Sequence, residues 1–198
     1  MPNSSAQSTP QNLVDAATQI FRQNGFVATT VDEICAGAGV TKGAFFHHFE
    51  SKEALGLECL RQWERTMVAK LESAPFQQIV DPVEKALGGV EFFAAMFENP
   101  SVPKSCLAGT TAQEVSETHP ALREGAQACF AAGTGYFRQL LDDACRSRGV
   151  QLDTAALAQL WMATLQGSLL LYKASRDDTV IPKNLRHFRQ YLERLFDA

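Results

Sequence analysis

Residues 30–49 read TVDEICAGAGVTKGAFFHHF, and this stretch decides the fold. Thr30 followed three residues later by Glu33 is a capping box: the hydroxyl takes an orphan amide of a helix's first turn, and the carboxylate reaches back to the cap's own N–H. A short helix therefore starts there and stops at Gly37-Ala38-Gly39, because glycine accepts the positive φ of a sharp turn. Thr41 offers its hydroxyl as the cap of the next helix. Two short helices joined so tightly cross steeply only where side chains are small, and Cys35, Ala38 and Gly39 are the candidates for that crossing. Ile34, Val40 and Phe45 supply apolar pins, which leaves Thr41, Lys42, Gly43, Ala44, Phe46, His47 and His48 on the free face.

The pins need a partner, and the sequence upstream provides one. Leu13, Ala16, Ala17, Ile20 and Phe21 fall at helical spacing on a single stripe that Gly25 ends. Residues 1–10 are polar and read as a frayed arm, not as a signal peptide. Downstream, Ser51 starts a fourth helix that carries Leu55, Cys59, Leu60, Trp63, Met67 and Leu71 as far as Ser73-Ala74-Pro75. Asp81-Pro82-Val83-Glu84 opens another with an acidic cap and a first-turn proline. Ser105 is expected to cap the next helix, His119-Pro120 opens a long one ending near Arg148-Gly149, Asp153 opens a further one, and Pro182 begins the last. Apolar residues recur at helical spacing and never in sustained alternation, so the fold class is all-α. The expected division is an arm at 1–10, a three-helix helix-turn-helix unit at 11–58, and a second, larger helical unit at 59–198.

Thr30-Val31-Asp32-Glu33-Ile34, Ala38-Gly39-Val40-Thr41-Lys42-Gly43 and Phe45-Phe46-His47-His48-Phe49-Glu50-Ser51-Lys52-Glu53 resemble, in order, spacing and residue type, the DNA-binding domain of the TetR family of transcriptional regulators. The match runs from Leu13 to Leu60; beyond it the chain is similar to the family only in being helical and of the right length. The resemblance implies a homodimeric repressor that holds palindromic double-stranded operator DNA and leaves it when a small effector binds. A constitutive DNA-binding regulator or an activator is the alternative, and a small all-helical enzyme the remote one. Carried over residue by residue, the resemblance implies that Thr41, Lys42, His48 and Lys52 hold phosphates. Lys42, Gly43, Ala44, Phe46 and His47 face the major groove, and Thr30 belongs to the same set. Physics agrees with those assignments: lysines give the salt-dependent phosphate attraction, and short side chains such as Gly43 and Ala44 let the backbone approach base edges or thymine methyls. Phe46 stands where the family usually has tyrosine, so an apolar contact to a sugar or thymine methyl replaces a hydroxyl on phosphate.

Charge does not help this reading. The net formal charge is -4, and up to Leu60 the chain sets Arg22, Lys42 and Lys52 against Asp15, Asp32, Glu33, Glu50, Glu53 and Glu58. Affinity must then come from placement, aided by protonation of His47 and His48 beside phosphates. Neighbouring helical positions do not face each other, so these histidines are not expected to share a metal. Five scattered cysteines without a C-x-x-C pair exclude a disulfide framework and a zinc site. No apolar run reaches the ~18 residues of a membrane span, so a cytoplasmic protein is expected. No nucleophile, glycine loop or metal spacing points to an enzyme, and no cofactor is implied.

The regulatory half offers weaker signals. Phe92, Phe93, Met96, Phe97, Phe130, Phe137, Trp161 and Tyr172 are the candidate walls of an effector cavity. In Pro103-Lys104-Ser105-Cys106-Leu107-Ala108-Gly109 a thiol falls in the first turn of a helix beside a lysine, a placement that favours the nucleophilic thiolate. This stretch resembles that of TetR-type repressors that sense electrophiles or oxidants through a thiol here, with Lys173 as a candidate amine partner. For the dimer, Thr164, Gly167 and Ser168 would allow close approach, and Leu169, Phe188, Leu192 and Leu195 would supply burial.

Overall fold

The computed structural model describes residues 9–197, and among them only helices occur as regular structure. The order is α1 (Thr9–Asn24), α2 (Val31–Ala38), α3 (Lys42–His48), α4 (Lys52–Glu72), a 3-10 turn (Pro75–Gln78), α5 (Pro82–Glu98), α6 (Leu107–Val115), α7 (Pro120–Arg148), α8 (Thr154–Ser175) and α9 (Val180–Phe196). Thr9 and Pro10, expected in the arm, already belong to α1; the rest of that arm lies outside the described residues. No helix among the described residues is long and apolar enough to cross a membrane.

Contacts divide the chain into two compact units. One takes the chain up to Thr66 together with Ser105–Cys129; the other takes Met67–Lys104 and everything from Phe130 on. The contacts therefore cut the chain differently from the expected boundary after residue 58, because α6 and the start of α7 pack with the amino-terminal helices. That packing is between residues far apart in sequence.

In the first unit α1 is the central element. Leu13, Val14, Ala17 and Phe21 are buried on it, with Ile34 and Cys35 from α2, Phe45 from α3, and Leu55, Cys59 and Leu60 from α4. Each large side chain so removed from water contributes about 1.5–3 kcal/mol. The crossing of α1 and α2 turns on Gly37, where a Cβ would lie 3.3 Å from Ile20 Cδ1 and 3.5 Å from Ala16 Cβ. Gly39, expected at the crossing of α2 and α3, has nothing within 4 Å of a Cβ. Its role is conformational: φ is 67° and ψ is 34°, the left-handed turn that ends α2.

In the second unit α9 packs on α5 and α8. Asp81 caps α5 by accepting from the Val83 and Glu84 amides, at 2.9 and 3.0 Å, and also pairs with Arg148 at 2.9 Å. Asp153 caps α8 through the Ala156 amide. The last helix begins at Val180, two residues before the expected Pro182, behind Thr179. Arg186 of α9 ties that helix to α5 by pairing with Glu91 and Glu98. These two carboxylates push the guanidinium pKa upward, and Arg186 in turn holds the Glu98 carboxyl below its ordinary value.

Candidate nucleic-acid interface

The capping box forms as expected. Thr30 Oγ1 accepts from the Glu33 amide at 3.2 Å, and the Glu33 carboxylate accepts from the Thr30 amide at 2.7 Å. Those bonds to Thr30 hold the Glu33 carboxyl below the usual carboxylate range. Thr41 Oγ1 accepts from the Ala44 amide at 3.2 Å and so starts α3. Phe45 is fully buried and points α3 inward at one position only. Thr41, Lys42, Gly43, Phe46, His47 and His48 are exposed and Ala44 is half-buried. Phe46 keeps 53% of its surface in water, an unusual exposure for a phenylalanine on an otherwise packed head. The rings of His47 and His48 meet edge to face at 4.8 Å, closer than neighbouring helical positions suggested.

The two lysines of this region behave differently. Lys42 is exposed and pairs with Asp32 of α2 at 3.0 Å. The Lys52 ammonium donates to the carbonyls of Phe26 and Thr29, both at 2.7 Å, and lies 4.4 Å from the centre of the Phe26 ring. Burial lowers its pKa, with Glu114 and Glu33 acting in the opposite direction. Lys52 therefore also has a structural role, holding the backbone that leads into α2.

Lys52 closes one side of a clamp on the turn between α1 and α2, and Glu114 closes the other. The Glu114 carboxylate, from α6, accepts from the amides of Phe26 at 2.5 Å and Val27 at 3.0 Å. Gly25 makes this approach possible, with φ at 89° and a would-be Cβ 2.6 Å from Glu114 Oε1. Thr29 Oγ1 donates to the Gly25 carbonyl at 2.6 Å, and the Phe26 ring packs on Phe21 and His119 at 5.2 Å each. The path into α2 is therefore fixed by a residue nearly ninety positions away. Sequence reading had no signal for Glu114, beyond the glycine at 25.

Cys106 is half-buried and is itself the residue that precedes α6, so the expected cap Ser105 does not cap. Arg22, over the Trp63 ring at 4.5 Å, donates to the Ser105 carbonyl at 2.8 Å. Burial pushes the thiols of Cys59 and Cys129 up to about 12 and also raises those of Cys35 and Cys145. Lys173 sits in the last turn of α8, in the other unit from Cys106. In that unit Lys104 is engaged with Asp178 and lies 5.1 Å from the Tyr172 ring centre, its side chain 7% exposed.

Trp161 stacks on Phe137 at 5.0 Å and meets Phe93 at 5.4 Å and Phe188 at 5.6 Å. Phe97, Phe137 and Trp161 are buried core, whereas Phe93, Met96, Phe130 and Tyr172 are half-buried. Of the expected interface residues, Ser168, Leu169, Phe188 and Leu192 are buried within the chain, and Ser168 Oγ accepts from Asn184 of α9. Thr164, Gly167 and Leu195 remain partly accessible. The exposed apolar side chains are instead Leu160, Leu170 and Leu171 on α8 and Tyr191 on α9, which the sequence reading did not select.

Residues 13–59 match the model of the bacterial regulatory proteins of the tetR family, and residues 82–188 match the tetracyclin repressor-like C-terminal domain. The chain is 30% identical over 194 residues to the HTH-type transcriptional repressor DhaR of Mycobacterium sp. (strain GP1), covering 95% of this chain and 90% of that protein. A TetR transcriptional regulator from Chloroflexus aurantiacus has a similar structure, with a TM-score of 0.82 and 26% identity over 93% of this chain and 94% of its own. The reduced form of NemR from E. coli shares the fold, at a TM-score of 0.81 and 22% identity, over 93% of this chain and 96% of its own.

Proposed function

The chain belongs to the tetR family of bacterial regulatory proteins, a DNA-binding transcriptional regulator, and from that premise we propose how this one works. It is a repressor that grips a palindromic operator as a homodimer through α3 and lets go when a small effector binds or Cys106 is modified. Residues 11–58 read DNA, and the remainder receives the effector and the second copy.

The observation that carries this reading is the outer surface of α3. A seven-residue helix held inward by Phe45 presents Thr41, Lys42, Gly43, Phe46, His47 and His48 to solvent. Lys42 supplies a donor for phosphate or guanine, Phe46 an apolar face for thymine methyl or sugar, and the histidines ring N–H donors. Thr30 and Thr41, at the first turns of α2 and α3, add hydroxyls to the same surface. Sequence-specific readers place two such helices about 34 Å apart, or a multiple of it, and so must be paired. Leu160 and Leu171, exposed, share one face of α8 with the partly accessible Thr164 and Gly167, and a face of that kind is the surface a second copy would cover.

Among the effector candidates, Phe93, Met96, Phe130 and Tyr172 have surface to offer a ligand. Cys106, half-buried just ahead of α6, is the candidate for an electrophile or oxidant.

Selection of duplexes from a random DNA pool, with and without the thiol oxidant diamide, tests all of this. The expected result is a palindromic consensus whose recovery falls with diamide for the parent and not for Cys106→Ser. Recovery of sequence-blind, salt-labile complexes alone would overturn the regulator reading. Diamide sensitivity that survives in Cys106→Ser would overturn the thiol's role.

A further inference from the structure

Between residues 30 and 49 Lys42 is the sole lysine or arginine, so the fixed positive charge of α3 resides on one ammonium. That ammonium is not idle. Its Nζ lies 3.0 Å from Asp32 Oδ1 and 3.3 Å from Oδ2, bridging the first turn of α2 to the first turn of α3. The side chains are 56% and 73% exposed, so the pair stands in water and is weak enough to be opened by a better partner.

What counts as a better partner differs between DNA backbone and DNA bases. A phosphate that takes Lys42 away leaves the Asp32 carboxylate stranded beside further phosphates, and like charges repel. A base-pair edge can satisfy both groups at once. On one G·C edge in the major groove, guanine N7 and O6 accept while the cytosine N4 amino group beside them donates. An ammonium and a carboxylate a hydrogen bond apart are the complement of that edge.

We propose that Asp32 is a specificity-determining residue: it withholds Lys42 from phosphates, which suppresses sequence-blind binding, and together with Lys42 it favours a G·C pair at one position of each half-site. The inference rests on α3 entering the major groove.

The test uses the full-length protein and two labelled probes, a duplex selected by the parent from a random pool and a scrambled duplex of the same composition. Binding is followed by anisotropy across a salt series. Asp32→Asn is nearly isosteric, and Asp32→Ser keeps a polar group in the first turn of α2; thermal melting verifies that they are folded. Either variant should bind the scrambled probe about 2- to 5-fold more tightly at low salt, with a log–log salt slope steeper by about one. Reselection should lose its G·C preference at one position per half-site. A parent that discriminates while the folded variants keep its scrambled-probe affinity, slope and consensus overturns this inference alone. A parent that discriminates no sequence overturns the regulator reading and this inference with it.

Discussion

The turn between α2 and α3 is held by groups adjacent in sequence, whereas α8 and α9 are held by apolar faces that only the whole fold assigns. In the turn, each signal lies within three residues of the group it satisfies: Thr30 with Glu33, Thr41 with Ala44, Gly39 with its own φ. In α8 the apolar residues occupy most of the circumference, so periodicity cannot say which stripe packs at home and which is left over. Ser168, Leu169, Phe188 and Leu192, expected to face a second copy, pack within the chain, and Leu160, Leu170, Leu171 and Tyr191 face out. Capping is decided by neighbours in sequence; the assignment of two apolar faces is decided by the whole fold.

The largest expected effect breaks the comparison on the α8–α9 side. If Trp161 is core, as its stacking on Phe137 and contacts with Phe93 and Phe188 indicate, Trp161→Ala costs about 3–5 kcal/mol and lowers the melting temperature by many degrees. A loss under about 1 kcal/mol in chemical denaturation would return Trp161 to the wall of a cavity. Next comes Gly25→Ala, which adds a strained positive φ and drives the Glu114 carboxylate off two backbone amides. The combined cost is about 3 kcal/mol, and amide exchange at Phe26 and Val27 should accelerate first.

Lys52 and Glu114 show where legibility ends even inside the well-read head. The motif around Lys52 is plain in sequence, but the carbonyls of Phe26 and Thr29 that hold its ammonium lie more than twenty residues upstream, and no local rule brings them there. Glu114 sits in a segment with no motif at all, and only the contacts of α6 place it in the first unit. Thr30, Thr41, Ser51, Asp81 and Asp153 cap as expected because capping obeys short-range chemistry, whereas Ser105 does not cap and α9 starts behind Thr179. It missed the clamp because long-range hydrogen bonds to backbone leave no pattern in a single sequence.

A smaller effect sharpens the comparison at the outer face of α8. Leu171 is 55% exposed and belongs to the stripe with Leu160 and Gly167, so Leu171→Glu leaves the folded chain intact and places a charge in the surface proposed above to face a second copy. Dimer dissociation, read by sedimentation, should strengthen at least about tenfold, with operator affinity falling alongside. A variant that sediments and binds as the parent does would assign pairing to some other face.

The smallest effect is the most discriminating because its two halves have opposite signs. A Cβ at Gly43 would meet only Thr41 Oγ1, at 3.8 Å, so nothing inside the chain requires glycine there. Glycine in an exposed helix costs up to about 1 kcal/mol against alanine, and Gly43→Ala should therefore stabilise the free protein by about 0.5–1 kcal/mol. If α3 lies against a duplex, the added methyl occupies space that bases or sugars need, and affinity for the selected operator falls while the melting temperature rises. Gly167 offers the same experiment on α8, where a Cβ also meets nothing within 4 Å: Gly167→Ala should favour the helix and loosen the dimer. A rise in stability without loss of binding at either site would mean that the bare position faces only water, and the surface around it would have no partner to explain.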